Sequence, residues 1–153
     1  MPVNTQSRIV PLAGFAMLLV SSLFAGGCQL FTEKLSAEPG PAYPETMPRG
    51  RTAGIQVFRD VTVVRMTNTT AETFGPGYLW LNQSFSTPVG TLVPGQTWEI
   101  NLNEFVDEFG DVFRSGGFFA QRDPAAVVLV EVESGPEENR ELVSFILVQN
   151  KYN

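Results

Sequence analysis

Four carboxylates, Glu104, Asp107, Glu108 and Asp111, lie within eight positions and are the first candidates for chemistry. Hard oxygen ligands at such separations suit Ca²⁺, although the spacing fits no calcium-loop pattern. The same four residues are also what the solvent face of a short helix needs. Asn103 would cap that helix, and Phe105, Phe109 and Val112 or Phe113 would line its apolar side. Metal binding at these four residues is therefore the secondary reading. The chain has no histidine and a single cysteine, Cys28, so Ser–His, Cys–His and His-ligated metal chemistry have no residues to carry them. No cofactor is implied: Gly75-Pro76-Gly77 opens a strand, whereas a phosphate-binding loop opens a helix. A carboxylate pair for glycoside hydrolysis would need a cleft, which only a fold can supply. Phe74, Tyr78 and Trp80 could present an aromatic platform to a sugar, but such residues more often build the core. Asn68-Thr69-Thr70 and Asn82-Gln83-Ser84 match the glycosylation triplet, a weak signal by itself.

The setting of Cys28 is more informative. Arg8 precedes an apolar run from Ile9 to Val20, and Ser21-Ser22-Leu23-Phe24-Ala25-Gly26-Gly27 leads into the cysteine. That order is the basic, apolar and small-residue pattern of a secretory signal. Ending on Gly26-Gly27-Cys28, it resembles the signal of bacterial lipoproteins, although Ala25 holds the place where that family usually carries Leu. The resemblance implies cleavage before Cys28, a diacylglyceryl thioether on its sulfur and often a third acyl chain on its amino group. At about 0.8 kcal/mol per buried methylene, such chains hold a protein on a membrane almost permanently. It also implies that Gln29, standing where Asp would retain the protein, directs it to the outer membrane of a Gram-negative cell. The alternative is a plain secretory signal or a retained anchor, with Cys28 a free thiol. A spanning helix needs about 20 apolar residues. The stretch Ile9–Gly27 barely reaches that length, and Pro11 and three glycines weaken it.

Residues 1–27 thus read as the signal peptide, and 126 residues remain, enough for one domain. Arg8 is the only charge removed, leaving nine basic and sixteen acidic side chains and a net charge of −7. Such a surface is repelled by nucleic acid phosphates and by anionic lipid heads. With no second cysteine, stability rests on packing, for which nine Phe and two Trp follow residue 54. Residues 28–53 read as the lipidated cysteine and a disordered tether: Pro39, Pro41, Pro44 and Pro48, with Gly40 and Gly50, leave little apolar periodicity. At ~3.1 Å per residue in polyproline form, its Pro-rich half alone spans some tens of ångströms, so the segment reads as a spacer. Pro41 and Pro44 also give the P-x-x-P spacing of a docking peptide, a weaker reading in a single copy.

Residues 54–153 change to period two. Ile55, Val57, Val61 and Val63 alternate with polar neighbours, Thr62, Val64 and Met66 take the other face, and Arg59-Asp60 reads as a bulge or turn. Tyr78–Ser86 reads as one strand, ended by Thr87-Pro88-Val89-Gly90. Pro94-Gly95 occupies the centre of a type II turn before Thr97–Leu102, with Trp98, Ile100 and Leu102 inward. Gly116–Ala120 reads as a short strand. Ala125–Glu133 and Glu141–Gln149 form a hairpin so apolar that both faces should be covered. Six or seven short strands with one helical turn predict an all-β sandwich.

Val63–Thr70 and Leu92-Val93-Pro94-Gly95 resemble immunoglobulin-like or fibronectin-like modules of bacterial surface proteins. With Trp80-Leu81-Asn82 and Gly116–Ala120, the region 55–150 is also similar to small lipoproteins of planctomycete-type bacteria. Those families imply a fold, not an activity. The favoured function is a non-catalytic, membrane-anchored β-sandwich in the cell envelope that binds or braces an envelope protein or glycan, with no catalytic residues and an unknown ligand-binding site. The alternative is a small carboxylate-dependent enzyme or a carbohydrate-binding module. A pair of carboxylates buried in a concave pocket would favour the enzyme; scattered exposed acids would favour the binding protein.

Overall fold

Alternation along Arg49–Asp60 makes the strand on which the sheet is built. In β1 the side chains of Ala53, Ile55, Val57 and Arg59 point inward, while those of Thr52, Gln56 and Phe58 point outward. The computed structural model describes residues 37–118 and 120–148. Cys28, Gln29 and the whole signal region, together with Phe119 and Gln149, lie outside the described residues.

Six further strands follow: β2 (Val63–Thr67), β3 (Gly77–Leu81), β4 (Phe85–Val89), β5 (Thr97–Asn101), β6 (Val130–Ser134) and β7 (Glu141–Val148). They form one curled sheet in the order β4-β3-β6-β7-β1-β2-β5. Every neighbouring pair is antiparallel except β1 and β7, which run parallel. The protein is all-β, as its alternation predicts.

The curl follows from the connections. The β2–β3 and β4–β5 links cross together, paired through Phe74 and Leu92, whose backbone bonds are 3.2 and 2.9 Å. Asn68, 1% exposed, ties them: its Nδ2 donates to the carbonyls of Glu72 (2.7 Å) and Leu92 (3.0 Å). Gly95 there has φ +80°, the conformation expected of the third place in a type II turn, and Gln96 N–H donates to Val93 O at 3.0 Å. At the other end, Leu102 N–H donates to Thr62 O and Val106 pairs with Ser86 on β4. Residues 102–106 therefore connect the two edge strands. Enclosed by the curl is one apolar core, with Phe74 edge-on to Phe145 at 5.4 Å and Phe85 edge-on to Phe113 at 5.2 Å.

Several local expectations are corrected. The β1–β2 turn is Val61-Thr62, not Arg59-Asp60; it pairs Asp60 with Val63 and so turns Val64 and Met66 inward. Tyr78–Ser86 is two strands, because Asn82 and Gln83 both adopt positive φ (54° and 59°) and reverse the chain. Pro88 is tolerated in β4 because that strand is at the edge of the sheet. The helix over Asn103–Phe113 is absent. A single 3₁₀ turn, Leu102–Glu104, is capped by Asn101, and Phe105 and Phe113 then meet as antiparallel neighbours with a 2.9 Å backbone bond. A second 3₁₀ turn, Glu137–Asn139, joins β6 to β7. Gly116 and Gly117 have φ of 85° and 112°, so Gly116–Phe118 forms no strand.

The largest correction concerns the tether. β1 begins at Arg49, Ala53 is in the core, and residues 40–48 lie as a strap over the outer face of the sheet, turning at Glu45-Thr46 where Met47 N–H donates to Pro44 O at 3.0 Å. Prolines suit that role: lacking N–H groups, they cross a surface without needing a pairing partner. The strap is held by Gly40 N–H to Asp107 O and by Leu142 N–H to Pro48 O, each 2.9 Å. A Cβ on Gly40 would stand 2.9 Å from Val106 O, so this approach requires glycine. The folded part thus starts ahead of Gly54, and Pro41-x-x-Pro44 is part of it.

Candidate functional site

β6 is buried on both faces, and two carboxylates lie on its outer one. Glu131 and Glu133 are two residues apart and so share a face; they are 2% and 7% exposed. Buried carboxylates are costly unless hydrogen-bonded, and here each is. Tyr43 in the strap donates its hydroxyl to Glu131 Oε2 at 2.7 Å, and Ser144 Oγ is 3.4 Å from Glu131 Oε1. Trp80 Nε1 donates to Glu133 Oε1 at 3.0 Å, and the Arg140 guanidinium lies 3.4 Å from Glu133 Oε2. Tyr43 packs edge-on against Trp80 at 5.3 Å. Burial first, then the neighbouring Glu131, raises the Tyr43 phenol above its ordinary pKa, while Arg49, 5.9 Å over the ring, opposes the rise. These groups form a hydrogen-bonded network beneath the strap, in which Arg140 Nε is buried without a hydrogen-bond partner among the described residues. A depression beside the strap is lined by Tyr43, Glu45, Met47, Arg49 and Gln83; neither glutamate lines it.

The four acidic residues of the expected helix do not converge. Asp107 is 9% exposed and closes a turn, its Oδ1 accepting from Phe109 N–H (2.9 Å) and Asp111 N–H (2.8 Å). Glu104, Glu108 and Asp111 are exposed. With the helix gone, so is the common face that would have gathered them, and among the described residues no three acidic side chains are placed to hold a metal ion. The aromatic platform is likewise corrected: Phe74 and Trp80 are each 1% exposed and Tyr78 is half-buried beside Trp80. Asn82, in the second glycosylation triplet, is engaged structurally, its Oδ1 accepting from Val128 N–H and Leu129 N–H and its Nδ2 donating to Ala126 O.

Two features were not anticipated from the residues. Arg59 is buried at the end of β1 and donates to three carbonyls, Val61 (3.1 Å), Ala125 (2.6 Å) and Ser115 (2.8 Å), which fixes the loop after Phe113; burial lowers its pKa. The outer face of β1 and β2 carries a shallow groove of about 380 Å³ lined by Gly54, Gln56, Phe58, Arg65, Thr67 and Thr69. Phe58, at a solvent-facing position of an alternating strand, was the available signal. The chain matches no protein-family model, and no curated protein or solved structure matches it.

Proposed function

We propose that this chain is a cell-envelope lipoprotein, held on a membrane by acyl chains on Cys28, whose domain is an immunoglobulin-like sandwich that binds or braces and does not catalyse. The strand order supports the sandwich. If the curl is read as two layers, β1-β2-β5 faces β4-β3-β6-β7, the layers meeting at the parallel β1–β7 pair, with β2–β3 and β4–β5 crossing between them. One observation carries the non-catalytic reading: Glu131 and Glu133 are buried beneath the strap, each with a donor on both carboxylate oxygens, where a catalytic pair would face a cleft. Gln29 favours the outer membrane. Cys28→Ala tests the anchor. The variant should lose fatty-acid label and leave the membrane fraction; continued membrane binding would replace the acyl anchor with a retained helix.

Among partners, the Phe58 groove favours a glycan, since a half-exposed aromatic ring flanked by Gln56, Arg65, Thr67 and Thr69 offers both stacking and hydrogen bonds. Titration with envelope oligosaccharide fragments should perturb Phe58 and its neighbours, and Phe58→Ala should abolish the response. Perturbations that survive the substitution would move the binding site elsewhere.

A further inference from the structure

The two ends of the sheet differ in what they show to solvent. One end carries the β1–β2 turn, the β3–β4 turn, the long connection from Leu102 to Leu129 and the end of β7. The hairpin Phe105–Phe113 runs toward this end, because Val106 is antiparallel to β4, whose first residues lie there. Its tip, closed by Asp107, presents Phe109 at 77% exposure. Beside the β1–β2 turn, where a Cβ on Gly117 would touch Thr62, Phe118 is 95% exposed. Val128, on the same connection, is 69% exposed. At the opposite end, Val93 is the single large apolar side chain so exposed among the described residues, at 46%.

The chain also enters at the end that carries the phenylalanines. The strap starts near Asp107, bonded there by Gly40, and descends to Pro48 beside the first residues of β7. Eight residues separate Cys28 from Ala37. A chain of that length reaches roughly 30 Å at most. The entry end therefore stands within about 30 Å of the bilayer that holds the anchor.

From these placements we infer that Phe109 and Phe118 dock into the lipid interface and fix the orientation of the domain on the membrane. The inference rests on the acyl-anchor reading above. Aromatic rings at a membrane surface bury apolar area in the headgroup–acyl boundary. Charge does not supply the attraction, since Glu108 and Asp111 flank Phe109, while Arg114 and Arg122 near Phe118 are accompanied by Asp123. The partner surface is therefore a zwitterionic bilayer, with the acyl anchor offsetting the entropy of association.

The test uses the full acylated chain in phosphatidylcholine–phosphatidylethanolamine vesicles with brominated acyl chains. Phe109→Trp, Phe118→Trp and Val93→Trp are compared with the parent, whose Trp80 and Trp98 supply the background. Emission from positions 109 and 118 should be quenched and blue-shifted, and emission from position 93 should be unchanged. Flotation with the vesicles reports the anchor separately. A chain that floats with no quenching at 109 and 118 overturns docking and leaves the anchor standing; a chain that does not float overturns both. Shielding of the two positions in detergent with a doubled mass would make this end a contact between copies, and would also overturn the inference. Phe109→Ser/Phe118→Ser should keep the parent's urea midpoint, since neither ring is in the core, while its domain orientation on vesicles is lost.

Discussion

The two faces of β6 are both buried, but by different chemistry. Inward, Val130 and Val132 meet Phe145, Val143, Leu79 and Leu81, contacts set by volume and shape. Outward, Glu131 and Glu133 need particular donors, supplied by Tyr43, Trp80, Arg140 and Ser144. Apolar burial tolerates a change of neighbour; polar burial does not, because each unfilled acceptor costs its full desolvation. The inner face is thus built by the sheet itself, and the outer face is completed only when the strap lies over it.

Removing the strap should have the largest effect. A chain beginning at Gly54 loses residues 37–48 and also Arg49–Ala53 of β1, uncovering Trp80, Leu142 and both glutamates. It should unfold at far lower urea than a chain beginning at Ala37, or lose cooperative unfolding altogether; equal midpoints would mean that the outer face needs no cover. Phe145→Ala comes next, at about 3–5 kcal/mol, because it opens a cavity beside Phe74 in the inner core. Urea unfolding at constant slope checks it.

Glu133→Ala strands Trp80 Nε1–H and the Arg140 guanidinium, and should cost about 2 kcal/mol. Glu133→Gln, which retains an acceptor for Trp80, should recover part of that loss. Tyr43→Phe should cost the least, about 1.5 kcal/mol, the lower end for a hydrogen bond to a charged acceptor. This last effect depends on pH. The folded phenol holds its proton to a higher pH than the unfolded one, so its contribution is full below the ordinary value of about 10 and is lost as pH rises through the folded value. The gap in urea midpoint between parent and Tyr43→Phe should therefore narrow above pH 10. A constant gap would mean that the Tyr43–Glu131 bond does not distinguish the phenol from its phenolate.

Period-two alternation was enough to read the all-β class and the inward set Ile55, Val57, Ile100 and Leu102, and Pro-Gly turn chemistry placed the turn at Gly95. Each of these depends on residues close in the chain, where pleat and turn geometry act directly. Apolar continuity was a poor guide to coverage: Val128 and Ile146 are exposed, while β6, covered on both faces, carries Glu131 and Glu133. The face of β2 was not legible, because a two-residue turn and a bulge differ by one step of register, and that step exchanges the faces. Nor was the hairpin at Phe105–Phe113: residues eight apart lie on one helix face and can equally meet across a tight turn, and the β4 edge, offering Ser86 to Val106, selects the hairpin. Composition alone made residues 37–53 look like a tether, since prolines and glycines cannot bury themselves against each other. Tyr43 orders that stretch by reaching Glu131, 88 positions away, and only the parallel pairing of the first strand with the last lays the strap across the outer face.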